Sequence, residues 1–334
     1  MKAYEIRNAD GIDALHLGER PMPKPGPGEV LVRLRANAIN YRDLQIILDP
    51  VSRGIAYPRI PNSDGAGEVV EVGPGVTRWK AGDRVAGTFF QRWGAGGITP
   101  EAMASALGGA IDGLLCEYAL LREDGLVTIP EHLSYEEAAT LPCAGLTAWH
   151  IVIGLGQVKA GDTVLILGTG GVALCALGFA RLHGARAIVT SSSDEKLARA
   201  RELGAWQCVN YRAKPEWQKE VLAMTGGRGV DLVAEVGGAG TLERSIQAVR
   251  VGGKIGLVGV LTGGTIDPVN VMRKSIQLQG IYVGSRAMFE DMNRALAAHE
   301  FRPVIDARFS FDEARGAYHH MRGAGHFGKI VVSI

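Results

Sequence analysis

The run Val164-Leu-Ile-Leu-Gly-Thr-Gly-Gly-Val-Ala173 constrains the fold more than any other stretch of the chain. Four consecutive apolar residues, Val164 to Leu167, suit a short strand buried on both faces, as at the centre of a parallel sheet. The glycines after it fit the pattern G-x-G-x-x-G/A. Gly168 permits a tight turn, Gly170 lets a ligand approach the backbone, and Ala173 keeps the following helix close to the strand. That helix runs through Leu174, Leu177, Ala180 and Arg181 to His183-Gly184. Its first N–H groups and positive dipole end face the turn, which suits a pyrophosphate. A glycine turn alone carries little, because such turns also join strands to helices with no ligand present. Here both flanks and a further strand, Ala187 to Ser191, stand where a dinucleotide-binding unit needs them.

The end of that further strand bears on the choice of dinucleotide. An NAD site places Asp or Glu there, roughly 20 residues after the first glycine, to bind the ribose hydroxyls. Ser191 stands at that place, 23 positions after Gly168, followed by Ser192, Ser193 and, one helical turn on, Lys196. Hydroxyls and a cation can hold a 2′-phosphate that a carboxylate would repel. Ser193-Asp194-Glu195 also reads as an ordinary helix start, and both readings can hold together. NADP(H) is therefore expected ahead of NAD(H), with Gly168, Thr169, Gly170, Gly171, Val172, Ser191, Ser192 and Lys196 as cofactor-binding residues.

The composition of the 334-residue chain is that of a globular protein long enough for two domains. Lys+Arg 36 against Asp+Glu 35 leaves a formal net charge of +1 with no basic or acidic run. That argues against nucleic acid or an anionic membrane as partner. The first residues enter a strand-like pattern without a signal-peptide core, and no apolar stretch approaches a membrane span. Cys116, Cys143, Cys175 and Cys208 are scattered singly, so neither a structural zinc framework nor a redox dithiol is implied, and a reducing, cytoplasmic setting is expected.

Residues 1 to about 130 read as all-β. Strands are expected at Glu29–Arg35, Gly67–Gly73, Asp83–Ala86, Glu117–Leu121 and Leu126–Ile129. Pro21 to Pro27 reads as a stiff connection. Ser134 and Glu137 form a capping box that opens a helix expected to stop at Pro142. Strands and helices then alternate. Strands at Gln207–Asn210, Val230–Val236, Gly253–Gly259 and Ser275–Val283 join the two named above in a six-stranded, doubly wound parallel sheet. A helix over Ala287–His299 and a strand over Gly328–Ser333 follow.

Two further stretches carry a family resemblance. These are Pro61-Asn-Ser-Asp-Gly-Ala-Gly-Glu-Val-Val-Glu-Val-Gly-Pro-Gly-Val-Thr-Arg-Trp-Lys-Ala-Gly-Asp-Arg-Val85 and Leu141-Pro-Cys-Ala-Gly-Leu-Thr-Ala-Trp149. With the glycine turn they make the whole chain resemble the medium-chain dehydrogenase/reductase superfamily. The resemblance implies an α/β protein in two domains. A GroES-like β domain (1–143 and 285–334) would hold the substrate, and a Rossmann domain (144–284) the cofactor.

Zinc-dependent members of that family hold a catalytic metal on Cys, His and Cys. Asn40 and Ser63 stand at the first two positions, Asp64 keeps the neighbouring acid, and only Cys143 matches a ligand. One thiolate does not make the three-ligand site a catalytic zinc needs, and the four-cysteine lobe is replaced by the cysteine-free stretch Phe89 to Gly113. No metal is expected, and the resemblance narrows to the zinc-independent quinone oxidoreductase-like branch.

Without zinc, hydrogen-bond donors must stabilise charge developing on a substrate oxygen. The resemblance sets Asn40, Tyr41 and Arg42 beside the nicotinamide, with Asp64 near them. Asn40 could donate from its amide, Tyr41 could donate or relay a proton, and Arg42 could anchor an oxyanion. Equally, Asn40 could cap a turn, Tyr41 could pack, and Arg42 could pair with Asp43. Phe89, Phe90 and Trp93, with Cys143, are expected at the substrate, the rings forming one wall of its pocket; equally, each ring could be core of an inserted loop. Thr147, Val258-Gly259-Val260, Gly284-Ser285-Arg286 and Lys329 match cofactor-side positions. His150, His183 and His326 are isolated, and no Y-x-x-x-K occurs.

The expected activity is NADPH-dependent hydride transfer to quinones or α,β-unsaturated carbonyl compounds. The alternatives are an alcohol dehydrogenase of the same fold and a low-turnover NADP(H)-binding sensor or structural protein. The strand Ser275–Val283 would be an apolar sheet edge, whose pairing with a symmetry mate suggests a homodimer or homotetramer.

Overall fold

The computed structural model describes residues 1–334. Fifteen strands run in chain order. The first seven are β1 (Lys2–Glu5), β2 (His16–Glu19), β3 (Glu29–Ile39), β4 (Asp64–Val72), β5 (Arg84–Gly87), β6 (Tyr118–Arg122) and β7 (Leu126–Thr128). Then come β8 (Thr163–Leu167), β9 (Arg186–Ser191), β10 (Gln207–Asn210), β11 (Val230–Glu235), β12 (Val249–Leu257), β13 (Gln277–Gly280), β14 (Ile305–Ser310) and β15 (Lys329–Ser333). They fall into two compact units, Met1–Leu146 with Gly284–Ile334, and Thr147–Val283.

The first unit is built on β3, whose eleven residues are mostly buried. It pairs antiparallel with β15, β4 and β6 in a seven-stranded sheet ordered β14-β15-β3-β4-β5-β7. Val30, Val32, Leu34 and Ile39 on β3 join Leu44, Ile47, Val69, Val85, Leu114, Leu121, Tyr318, Ile330 and Val332 in one core. Each such aliphatic side chain contributes roughly 1.5–3 kcal/mol on burial, which fixes the register of the strands. That register matters for the site. Ala38 lies opposite Asp64 and Ile39 opposite Ile330, so the end of β3 meets the beginnings of β4 and β15.

Helix α1 (Tyr41–Leu48) follows β3 directly, α2 (Pro100–Met103) is a single turn, and α3 (Tyr135–Ala139) opens on the expected capping box. There Ser134 Oγ accepts from Glu137 N at 3.1 Å, and Glu137 Oε2 accepts from Ser134 N at 2.8 Å. The expected stop at Pro142 does not occur. The chain winds on as a π-helical segment, Leu141–Gly145, then α4 (Leu146–Trp149) and a second π-helical segment, His150–Leu155. Pro142 lies in the first turn of the wider segment, where its missing N–H leaves no hydrogen bond unmade.

The second unit is a six-stranded parallel sheet in the order β10-β9-β8-β11-β12-β13, crossed by α5 (Gly171–Leu182), α6 (Asp194–Glu202), α7 (Trp217–Met224), α8 (Ala239–Ala248) and α9 (Val269–Arg273). The expectation of a doubly wound sheet with β8 at its centre is met, and every residue of β8 is buried. The strand order reverses between β8 and β11, and ligands of such sheets bind at the carboxyl ends beside that reversal. The expected apolar edge strand is shorter and more polar than its sequence suggested. β13 covers only Gln277–Gly280 with both ends exposed, while Ile281 lies beyond it and is buried. Helices α10 (Arg286–His299) and α11 (Ala314–Arg322) return to the first unit. No helix is long and apolar enough to cross a membrane.

Candidate functional site

In the first unit the three strand ends bring a directed chain of polar groups together. Lys329 Nζ donates to Asn40 Oδ1 at 2.5 Å and to Ile39 O at 2.8 Å. Asn40 Nδ2 donates to Ser63 Oγ at 3.4 Å, and Ser63 Oγ donates to Asp64 Oδ1 at 2.7 Å. Cys143 N, from the π-helical segment, donates to Asp64 Oδ2 at 3.0 Å. Because an ammonium only donates, the Asn40 atom beside it is the oxygen, and the amide nitrogen points to Ser63. Lys329, Asn40, Ser63 and Asp64 are all buried.

The charges follow from that burial. Desolvation pushes the Asp64 carboxyl up to about 6; the Lys329 cation pulls it down and Asp43 pushes it up. Burial, with the negative field of Asp64, also pushes the Cys143 thiol up, so the thiol holds its proton. An amide and a hydroxyl beside a lysine ammonium, with one cysteine, do not supply the three-ligand donor set of a catalytic zinc.

Asn40 also begins α1: its main-chain N–H donates to Asp43 Oδ2 at 2.9 Å, while its side chain bonds Lys329 and Ser63 and faces Asp64. Tyr41 is exposed on α1. Arg42 takes the second of its two expected places: its guanidinium donates to Asp43 Oδ1 at 3.0 Å and Leu107 O at 2.8 Å and lies 4.7 Å over the Phe89 ring. Phe89, Phe90 and Trp93 are buried and pack edge-on, with centroids 4.6 and 5.8 Å apart, the arrangement of an inserted-loop core.

Ser285 and Arg286 likewise serve the first unit. Ser285 Oγ caps α10 by accepting from Met288 N at 3.3 Å, and Arg286 pairs with Asp124 and Glu290. Gly284 fills a tight place, where a Cβ would meet Leu146 at 2.8 Å. His150 and His183 bond main-chain carbonyls of Val283 and Phe179.

Sequence reading missed a second layer behind the chain. Asn62 has a left-handed φ of 70°; it donates from its amide to Asn37 Oδ1 and accepts at Oδ1 from the Tyr318 hydroxyl. This turn aims Ser63 and Asp64. An asparagine between Pro61 and Ser63 is a signal of such a conformation, since Asn tolerates it best after glycine. Tyr318 carries no signal in the sequence.

In the second unit, Gly168 has φ 79° and its N–H donates to Thr190 Oγ1 at 3.4 Å. Thr169 is buried in this turn. Gly170 has an ordinary φ of −83°, and a Cβ there would meet nothing within 4 Å. It begins α5 without a side-chain cap, so the N–H groups of Gly171, Val172 and their neighbours are left for an anion. Ser191 ends β9 opposite Asn210, and Tyr211 N donates to Ser191 O at 3.0 Å. Ser191 Oγ accepts from Ser193 N, and Ser193 Oγ caps α6 by accepting from Lys196 N, both at 3.3 Å. Ser192, Lys196, Tyr211 and Arg212 thus surround the strand end.

Glu235, also missed, ties the neighbouring turns. Its main-chain oxygen accepts from Val258 N and Gly259 N at 2.9 and 3.0 Å. Its fully buried carboxylate accepts from Gly237 N, Gly238 N, Thr241 Oγ1 and Ser245 Oγ. Gly259 must be glycine, because a Cβ would fall 2.2 Å from the Val236 carbonyl carbon. Val260 stands exposed beyond this turn, and Thr147 is buried at the opening of the unit. The uncapped helix, the open space at Gly170 and the polar end of β9 fit a nicotinamide dinucleotide.

Comparison with known proteins agrees. Residues 26–131 match the alcohol dehydrogenase GroES-like domain family, and residues 171–298 the zinc-binding dehydrogenase family. A zinc-type alcohol dehydrogenase-like protein of Schizosaccharomyces pombe is 43% identical over 97% of this chain and 96% of its own. A quinone oxidoreductase of Pseudomonas aeruginosa is 29% identical over 99% of each chain. The solved structure of a putative alcohol dehydrogenase from Sinorhizobium meliloti superposes with a TM-score of 0.91 at 41% identity, covering 99% of this chain and 98% of that one. The chain belongs to the medium-chain dehydrogenase/reductase superfamily and is an NAD(P)H-dependent oxidoreductase.

Proposed function

We propose that the protein is a zinc-independent, NADPH-dependent reductase of quinones or α,β-unsaturated carbonyl compounds, working as a cytoplasmic homodimer or homotetramer. The observation that carries this reading is the chain Lys329–Asn40–Ser63–Asp64, which stands where zinc relatives need a Cys and a His. The quinone oxidoreductase name of one relative supports it as well.

When bound, the reduced nicotinamide supplies hydride. The protein's part is to hold the pyrophosphate at the start of α5, with Gly170 giving it room, and the 2′-phosphate at Ser191, Ser192 and Lys196. In the first unit, the Asn40 amide donates to the substrate oxygen as negative charge grows on it. Asp64 holds Ser63 Oγ in place as acceptor of the other amide proton. Tyr41, exposed beside Asn40, delivers or relays the proton that completes reduction.

NADPH and NADH oxidation with 1,4-benzoquinone, an enone and an aldehyde, with and without EDTA, tests the reading. NADPH-dependent turnover of quinone or enone that ignores EDTA supports it. Aldehyde turnover abolished by EDTA overturns it in favour of a metal-dependent alcohol dehydrogenase. NADPH binding with no turnover at all points to a sensor.

A further inference from the structure

Lys329 presents an unusual arrangement for a lysine. Its ammonium is buried, and both of its hydrogen bonds go to neutral oxygens, Ile39 O and Asn40 Oδ1. A buried cation is costly to maintain, and the least costly solution is a direct carboxylate partner. Here the charge is spent on an amide oxygen instead. Asn40 cannot turn over without placing its NH2 group against the ammonium, so the contact fixes which end of the amide faces Ser63. A positive charge on Oδ1 also draws electron density from the amide nitrogen and strengthens its N–H groups as donors, as in any polarised chain of hydrogen bonds.

We infer that Lys329 is the positioning residue of the reaction, orienting and polarising the Asn40 amide so that its Nδ2–H binds the substrate oxygen. This deepens the reductase reading and rests on it. It also separates Lys329 from the cofactor-side role its place in the sequence suggested: in this structure it serves β3 and Asn40, all within the first unit. Nothing is transferred to or from Lys329. Its part is electrostatic, and its effect reaches the substrate only through Asn40.

The test is a double-mutant cycle of Lys329→Met and Asn40→Ala, read as kcat with quinone or enone and as NADPH dissociation constant by fluorescence. In the Asn40 background K329M lowers kcat on the order of 10- to 100-fold, within the range for loss of one preorganised donor, and leaves NADPH binding within about twofold. In the N40A background K329M changes kcat by less than about twofold, since there is no amide left to polarise. K329Q, which restores a neutral donor, recovers part of the loss; it carries the same comparisons should K329M fail to fold.

Weakened NADPH binding with kcat retained overturns the inference and returns Lys329 to the cofactor side. Equal losses in both Asn40 backgrounds overturn it as well. A readout independent of turnover is the side-chain 15N–1H pair of Asn40 in the resting protein. It lies downfield with the lysine present and moves toward free-amide values in K329M and K329Q. An unmoved pair overturns the inference. A wild-type protein that turns over neither quinone nor enone overturns the reductase reading alone, and the amide signal still decides the role of Lys329.

Discussion

Asn40 and Ser63 face each other 3.4 Å apart, amide nitrogen to hydroxyl oxygen, although 23 residues separate them in the chain. Strand register makes the contact, because Ala38 pairs with Asp64 where β3 ends and β4 begins. The amide and the hydroxyl hold each other, and the carboxylate behind them sets how firmly.

That carboxylate predicts a pH dependence. Burial raises Asp64 to about 6, so above pH 6 it is ionised and accepts from both Ser63 Oγ and Cys143 N. Below pH 6 it takes up a proton, Ser63 loses its acceptor, and kcat falls with an apparent pKa near 6. Stability runs the other way. A folded-state value above the unfolded one, about 3.9, means that folding is favoured as pH drops from 6 toward 4 and penalised above it. A pH–rate profile checks the first statement. Asp64→Asn is expected to flatten the acid limb at a lower plateau.

The glycine turn separates ligand demands from folding demands. Gly170 has an ordinary φ and open space where a Cβ would go. Gly170→Val is therefore expected to leave the melting temperature unchanged and to raise the NADPH dissociation constant roughly tenfold or more, about 1.4 kcal/mol or greater. Calorimetry and fluorescence titration measure the two. Gly168→Val, at φ 79°, is expected to lower both affinity and melting temperature.

Ser191 at the end of β9 predicts the cofactor preference. Ser191→Asp introduces the carboxylate that binds ribose hydroxyls and repels a 2′-phosphate. The ratio of kcat/KM for NADPH to that for NADH is expected to fall about 100-fold, a change of about 2.7 kcal/mol. Initial rates with both cofactors measure it; an unchanged ratio would place the phosphate elsewhere.

Asp231 predicts acid sensitivity of the second unit. Its carboxylate accepts from Thr163 N at 2.9 Å, Arg228 Nη2 at 2.6 Å and Arg250 Nε at 2.6 Å, joining β8, β11 and the start of β12. Burial opposes ionisation, but the two guanidiniums and the amide outweigh it and hold the carboxyl well below its usual range. The stabilisation is complete above the unfolded value, about 3.9, and is lost as pH falls through the lower folded value. Asp231→Asn is expected to destabilise the unit by roughly 2 kcal/mol at neutral pH, seen in urea unfolding.

The sheet of the second unit was legible because β8 is apolar throughout and the glycine turn allows one direction of travel. The Ser134–Glu137 box was legible because capping is local chemistry. Pro142 misled because a proline halts an α-helix but fits the start of a wider one. The mutual packing of Phe89, Phe90 and Trp93 was not legible, because composition says that such rings pack and only coordinates say that they pack on one another. Asn40 and Lys329 were each read, but their contact spans 289 positions and depends on two strand registers that no local pattern encodes.

The discontinuity of the first unit has a consequence for biosynthesis. Strand β15 pairs with β3, yet the whole of residues 147–283 lies between them in the chain. At about 5–20 residues per second, the end of β3 that β15 covers, residues 36–39, waits roughly 15–60 seconds for its neighbour during translation. An unpaired strand end invites the wrong partner, so a nascent chain stalled within the second unit exposes residues 36–39 of β3 and an Asn40 amide without its lysine together.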